Sequence, residues 1–134
     1  MSSSANTVKT IKSARQVYII GNGGSYANAV HICNDFLAKG VKAFTLDPAT
    51  LTASANDYGY ETVFERWIAV VGQQSDVLVA LSGSGRSPNI LRAVHKANEI
   101  GMNVITVYGA AINQDMQRAE EYQLEWGHNI WRQL

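Results

Sequence analysis

Val77-Leu78-Val79-Ala80-Leu81-Ser82-Gly83-Ser84-Gly85-Arg86-Ser87-Pro88-Asn89 is the stretch that decides the fold. Five consecutive apolar residues, Val77 to Leu81, bounded by turn residues, read as a buried strand. The serines and glycines after them read as a loop, and Pro88 opens a helix. Ser87 suits the N-cap, and proline suits the first helical position because its missing N–H would be unpaired there anyway. A helix N-terminus leaves backbone N–H groups free and carries partial positive charge. Ser82, Ser84 and Ser87 add hydroxyls, Gly83 and Gly85 let the backbone approach closely, and Arg86 adds a formal charge. The loop is a cradle for a phosphate or a similar anion. The plain alternative is a glycine-rich turn that caps a helix and binds nothing.

Outward from this stretch, strands and helices alternate. Gln16 to Ile20 is rich in β-formers and predicts a first strand, ending at a second glycine-rich turn, Gly21-Asn22-Gly23-Gly24-Ser25. A helix is expected from about Tyr26 to Lys39, with Ala29, Ile32, Cys33 and Phe36 as its apolar stripe and Gly40 as its stop. Val41 to Leu46 predicts a second strand. Thr50 to Ala55 suits a short helix, and Asn56 to Tyr60 has turn chemistry. Helical spacing returns over Val63 to Val71 and over Pro88 to Ile100, and Asn103 to Tyr108 predicts a further strand. After Gly109 the pattern weakens. It reads as a helix over Gln114 to Glu121, a short strand over Tyr122 to Trp126, and a tail with His128, Trp131 and Arg132. Residues 1–12 read as a loose or helical lead-in to one domain.

This alternation predicts a three-layer α/β/α fold with a parallel, flavodoxin-like sheet of four to five strands. In such folds ligands bind beyond the C-terminal ends of the strands, where strand order reverses. With the order 2-1-3-4, both glycine-serine loops meet in one crevice. Composition narrows the ligand. Eleven Lys and Arg balance eleven Asp and Glu, so no global field draws nucleic acid or an anionic membrane. No apolar run approaches the ~20 residues of a membrane span, and the first residues lack the apolar core of a secretory signal. With Cys33 as the one cysteine, these features predict a soluble cytoplasmic protein.

Three phosphate-binding classes can be compared. A nucleotide P-loop needs a lysine that neither loop has. A dinucleotide fingerprint needs a third glycine where Tyr26 stands, although Asp47 lies near the position of a ribose-binding acid. A sugar-phosphate cradle of serine hydroxyls and helix N-termini fits Ser82, Ser84 and Ser87 with no part missing.

The order and spacing of Gly21-Asn22-Gly23-Gly24-Ser25, His31, Ala55-Asn56-Asp57-Tyr58-Gly59-Tyr60 and the Ser82–Ser87 loop closely resemble the sugar isomerase (SIS) domain family. Within it the closest likeness is to the phosphoheptose isomerases, over about residues 16–109. The resemblance implies an enzyme that isomerises sedoheptulose 7-phosphate to D-glycero-D-manno-heptose 7-phosphate through an enediol. It implies a homo-oligomer, a tetramer or dimer, with sites between subunits. It implies phosphate on Ser82, Gly83, Ser84 and Ser87, and substrate contacts from Asn22, Gly23, Gly24, Ser25, Asn56 and Asp57. It implies zinc at His31 and Asp35, with Asp35 as base and His128 as the histidine available for the acid. Asp35 stands where the family has Glu, Gly83 where it has Thr, and Arg86 where it has Asn.

The residues themselves agree on one point. His31 and Asp35 are four apart, on one helix face, and imidazole and carboxylate both ligate zinc. Two donors alone are not a metal site, and the plain reading is a packing histidine beside a solvated charge. His95 falls on the polar side of its helix. A second function class fits the same residues, a non-catalytic phosphosugar-binding module that regulates or binds a partner. A nucleotide-binding domain is the third and weakest.

Overall fold

The computed structural model describes residues 3–109 and 115–134. Four strands, β1 (Val17–Ile20), β2 (Ala43–Phe44), β3 (Val77–Ser82) and β4 (Asn103–Tyr108), form one parallel sheet in the order β2-β1-β3-β4. Helices α1 (Ser3–Ser13), α2 (Gly24–Ala38) and α6 (Met116–Gln133) pack on one face, and α4 (Val63–Val71) and α5 (Pro88–Ile100) on the other. The helix α3 (Pro48–Tyr58) and a 3₁₀ turn at Tyr60–Thr62 link β2 to α4.

The period of two in a strand sorts the core. Val17, Ile19, Val77, Val79 and Leu81 join Ile32, Phe36 and Ile130 in one cluster. Tyr18, Ile20, Leu78 and Ala80 join Phe64, Ile68 and Ile90 in the other. β3 is buried along its whole length because it lies between two strands and two helical layers. Beneath the strands, buried Asp76 accepts from Arg15 Nη2 at 2.7 Å and from the backbone N–H groups of Gln16 and Gln73 at 3.1 and 2.8 Å. This carboxylate ties the start of β1 to the start of β3.

Several expectations change. Of the two forms expected for the lead-in, residues 3–7 take the helical one, because Val8 and Ile11 anchor α1 in the core. The second strand pairs only at Ala43 and Phe44. Asn56, Asp57 and Tyr58 complete α3 instead of forming a turn, and Gly59 ends it with φ 97°. The expected strand over Tyr122 to Trp126 and the expected tail are both part of α6, whose buried stripe is Ala119, Gln123, Gly127 and Ile130. Trp126 and Trp131 pack against the core, and Lys39 Nζ sits 4.6 Å above the Trp131 ring. Part of the stretch from Gln114 falls outside the described residues.

Candidate functional site

The sheet order brings the ends of β1 and β3 side by side, so the two loops share one crevice. Asn22, Ser25, Ser82, Gly83, Ser84 and Ser87 line a cleft of about 100 Å³, closed on the α6 side by Met116 and Glu120. The serines also shape their own loop. Ser82 Oγ accepts from Gly85 N–H at 3.0 Å, and Ser84 Oγ accepts from Arg86 N–H at 3.1 Å. Ser87 occupies the N-cap of α5, and its hydroxyl makes no capping bond but accepts from Ser82 Oγ at 3.5 Å, so its own O–H still faces the cleft as a donor. Gly85 turns the loop with φ 69°, a left-handed conformation that glycine adopts freely. At Gly83 a Cβ would stand 2.1 Å from Met116 Sδ. Met116 thus fills the room that a larger residue there would need.

On the β1 side, Gly23 caps α2 with φ 56° and Gly24 begins the helix. Ser25 is buried, and its Oγ accepts from Gln123 Nε2 at 3.0 Å. Asn22 pairs with Asn89 in both directions, each Nδ2 donating to the other's Oδ1 at 2.8 Å. Tyr60 O–H donates to Asn22 Oδ1 at 2.5 Å. Asn56 and Asp57 are not brought into the cleft. They are exposed at the end of α3, where Asn56 Nδ2 donates to Asp57 Oδ1 at 3.2 Å.

A second group of candidate side chains lies further along α2, where α6 meets it. His31 Nε2 is 3.2 Å from Asp35 Oδ2 and 3.2 Å from His128 Nε2, and His128 Nε2 is 3.6 Å from Asp35 Oδ2. His128 is therefore not a tail residue; α6 carries it across α2. Ligands at 2.0–2.1 Å around a tetrahedral zinc lie about 3.3 Å apart, close to these separations. Two imidazoles and a carboxylate are a donor set that zinc takes, and three protein ligands leave a position for water or substrate. Among the described residues this is the group of His, Cys, Asp and Glu side chains close enough to share an ion.

Asp47 is engaged elsewhere. Its carboxylate caps α3, accepting from Thr50 N–H at 3.0 Å and Thr50 Oγ1 at 2.7 Å. These bonds hold the Asp47 carboxyl below its ordinary range. His95 is exposed and faces Glu99 on the surface of α5. Sequence reasoning missed Glu120, Gln123, Met116, Asn89 and Tyr60. The signal for the first three was the small-residue stripe of α6, which marks one long helix returning over α2.

The SIS domain family model matches residues 2–109. The chain is 42% identical over 114 residues to a phosphoheptose isomerase of Bradyrhizobium sp. (strain BTAi1 / ATCC BAA-1182), covering 79% of this chain and 58% of that protein. It is 39% identical over 110 residues to one of Helicobacter pylori (strain HPAG1), covering 76% and 57%. The chain thus spans a little over half the length of these curated relatives. Among solved structures it is similar to the phosphoheptose isomerase GmhA from Neisseria gonorrhoeae, with TM-score 0.84, 28% identity, and coverage of 96% of this chain and 80% of that one. A phosphoheptose isomerase from Francisella tularensis gives TM-score 0.86 and 28% identity, covering 98% and 85%. The expected sheet order, the two loops at its reversal point and the family match over most of its length agree: this chain belongs to the SIS domain family.

Proposed function

We propose that the chain is a phosphosugar aldose–ketose isomerase that converts sedoheptulose 7-phosphate into D-glycero-D-manno-heptose 7-phosphate. The observation that carries this reading is a serine-lined cleft and a His31–Asp35–His128 cluster set along one helix. Ser25 and His31 are six residues apart on α2, about 9 Å along its axis, a distance that an open-chain heptose phosphate spans. The relatives named phosphoheptose isomerase support the same substrate.

In this mechanism Ser82, Ser84 and Ser87 donate hydroxyls to the phosphate, and the backbone at Gly23, Gly24 and Gly83 approaches it. Asn22 and Ser25, which line the same cleft, contact the substrate at its phosphate end. The carbonyl end lies along α2 toward His31. Asp35 takes the proton from C1 of the ketose as O2 gains one, which gives the enediol. Asp35 then returns a proton to C2 as O1 loses its own, which leaves the aldehyde at C1. His128 Nε2 faces Asp35 and passes the proton between the two oxygens. His31, Asp35 and His128 would hold a zinc ion, which would supply Lewis-acid stabilisation of charge on those oxygens. With His128 Nε2 engaged as a ligand, solvent would carry the proton between the two oxygens in its place. Asp35 is shorter than the Glu of the family, and its Oδ2 still reaches both imidazoles.

Exposed Val30 and Leu37 on α2 support self-association as a dimer or tetramer, which light scattering measures. A cytoplasmic setting belongs to the same reading. The test of activity is NMR of the protein with sedoheptulose 7-phosphate, before and after chelation and after return of zinc. The expected result is aldose product that falls about 10²–10⁴-fold in Asp35→Asn. Unchanged turnover in that variant removes Asp35 as the base. Phosphate-dependent binding without turnover by the unmodified chain makes it a binding module instead.

A further inference from the structure

The hydrogen-bonding capacity of Asn22 is almost wholly used. Its Oδ1 has two lone pairs, and these accept from Tyr60 O–H at 2.5 Å and Asn89 Nδ2 at 2.8 Å. Its Nδ2 has two hydrogens, and one goes to Asn89 Oδ1 at 2.8 Å. One N–H remains, on a side chain that lines the serine cleft. Asn89 is buried, and both ends of its amide are committed to Asn22.

A reciprocal pair of amides is symmetric. If both flip together, each bond is replaced by its mirror and nothing is lost between them. Tyr60 breaks the symmetry. A phenol O–H is a good donor, and an amide oxygen accepts it far better than an amide nitrogen can. The phenol reaches Asn22 from the 3₁₀ turn at Tyr60–Thr62, while Asn89 reaches it from the first turn of α5.

We propose that Tyr60 and Asn89 are positioning residues that fix the Asn22 carboxamide with its oxygen turned away and one N–H turned into the serine cleft. Asn22 is then a donor to an unprotonated oxygen of the bound phosphosugar, and not an acceptor for a sugar hydroxyl. This rests on the phosphosugar reading of the cleft and adds the sense of one contact, together with the two side chains that set it.

The test is a double-mutant cycle read by calorimetric titration with inorganic phosphate, with thermal unfolding of every variant as the folding control. Tyr60 is half-exposed, so Tyr60→Phe removes one O–H and little packing. Tyr60→Phe is expected to weaken phosphate binding about fivefold, the worth of one hydrogen bond. In an Asn22→Ala background it is expected to change nothing, since no amide is left to orient. Asn22→Asp, which only accepts at neutral pH, is expected to weaken binding more than Asn22→Ala. Equal effects of Tyr60→Phe in both backgrounds overturn the positioning role. Phosphate bound as well by Asn22→Asp as by the unmodified chain overturns the donor role, and so does an unmodified chain that binds no phosphate. Turnover of sedoheptulose 7-phosphate, measured on the same samples, reports on the isomerase reading separately. Coupling without turnover keeps this inference and loses that reading, and turnover without coupling does the reverse.

Discussion

Burial pushes the Cys33 thiol up to about 12, from an ordinary value near 9. The side chain faces the core from α2, where loss of water disfavours the thiolate. The native protein is therefore expected to leave Cys33 unreactive toward a disulfide reagent at pH 8, with labelling only as fast as the chain opens. Labelling at the rate of a free thiol would place Cys33 outside the core. The raised value also sets the sign of a stability effect. The folded state holds the proton more tightly than the unfolded state, so this contribution is complete below about pH 9 and is lost as pH rises toward about 12. Burial raises Tyr18, Tyr26 and Tyr108 as well, so their contributions decline in the same direction. The difference between the unmodified chain and Cys33→Ala in urea unfolding isolates the cysteine, and that difference should shrink across this window.

At the level of elements, the sequence was readable where large apolar residues carried the period. The three longer strands, α2, α4 and α5 stand within a few residues of their expected places. Their signals, such as Val77 to Leu81 or Ile90 with Ala97, are core contacts as well as patterns. α6 was misread because its buried stripe is Ala119, Gln123, Gly127 and Ile130, with only one large apolar residue. Tyr122 and Trp126 offered β-propensity instead, and tertiary packing overrode it. The same stripe obscured how one of the three donors of the candidate metal centre is placed, since His128 follows Gly127 where α6 packs against Ile32 of α2. A Cβ at 127 would stand 2.6 Å from Ile32 Cγ1 and 2.9 Å from its Cδ1, and Ile32 is fully buried. Gly127→Ala gains about 1 kcal/mol of helix propensity. Overpacking a filled interface costs about 1–3 kcal/mol. The crowding wins here because Ile32 has nowhere to move. We expect net destabilisation in urea and a zinc affinity about tenfold lower, as α6 shifts and His128 leaves His31. Gly24→Ala is the contrasting case. Its Cβ would meet the end of the flexible Glu120 side chain, which can swing aside, so the loss of stability is expected to be smaller.

The whole molecule joins two levels of legibility. The lining of the serine cleft lies in two contiguous motifs, so its residues could be read from the sequence. The metal-type cluster spans 97 positions between His31 and His128, and only the folded chain, with α6 laid over α2, assembles it. An ion bound there binds the native state and not the unfolded chain, which makes occupancy a stability measurement. At free zinc one hundred times the dissociation constant, the native state gains about 2.7 kcal/mol. For a chain of this size that is a rise of about 5–15 °C in melting temperature. His128→Ala removes one donor and leaves the Ile130 anchor of α6 in place, so the variant is expected to fold and to lose most of the rise. Inorganic phosphate, held at the other end of α2 by the serine loop, is expected to raise the melting temperature of the unmodified chain and of His128→Ala alike. A zinc shift that survives in His128→Ala places the ion elsewhere, and no shift in the unmodified chain leaves the three side chains as a hydrogen-bonded cluster. A phosphate shift lost together with the zinc shift would mean that α6 had come away from the sheet, because Met116 and Glu120 of that helix line the serine cleft.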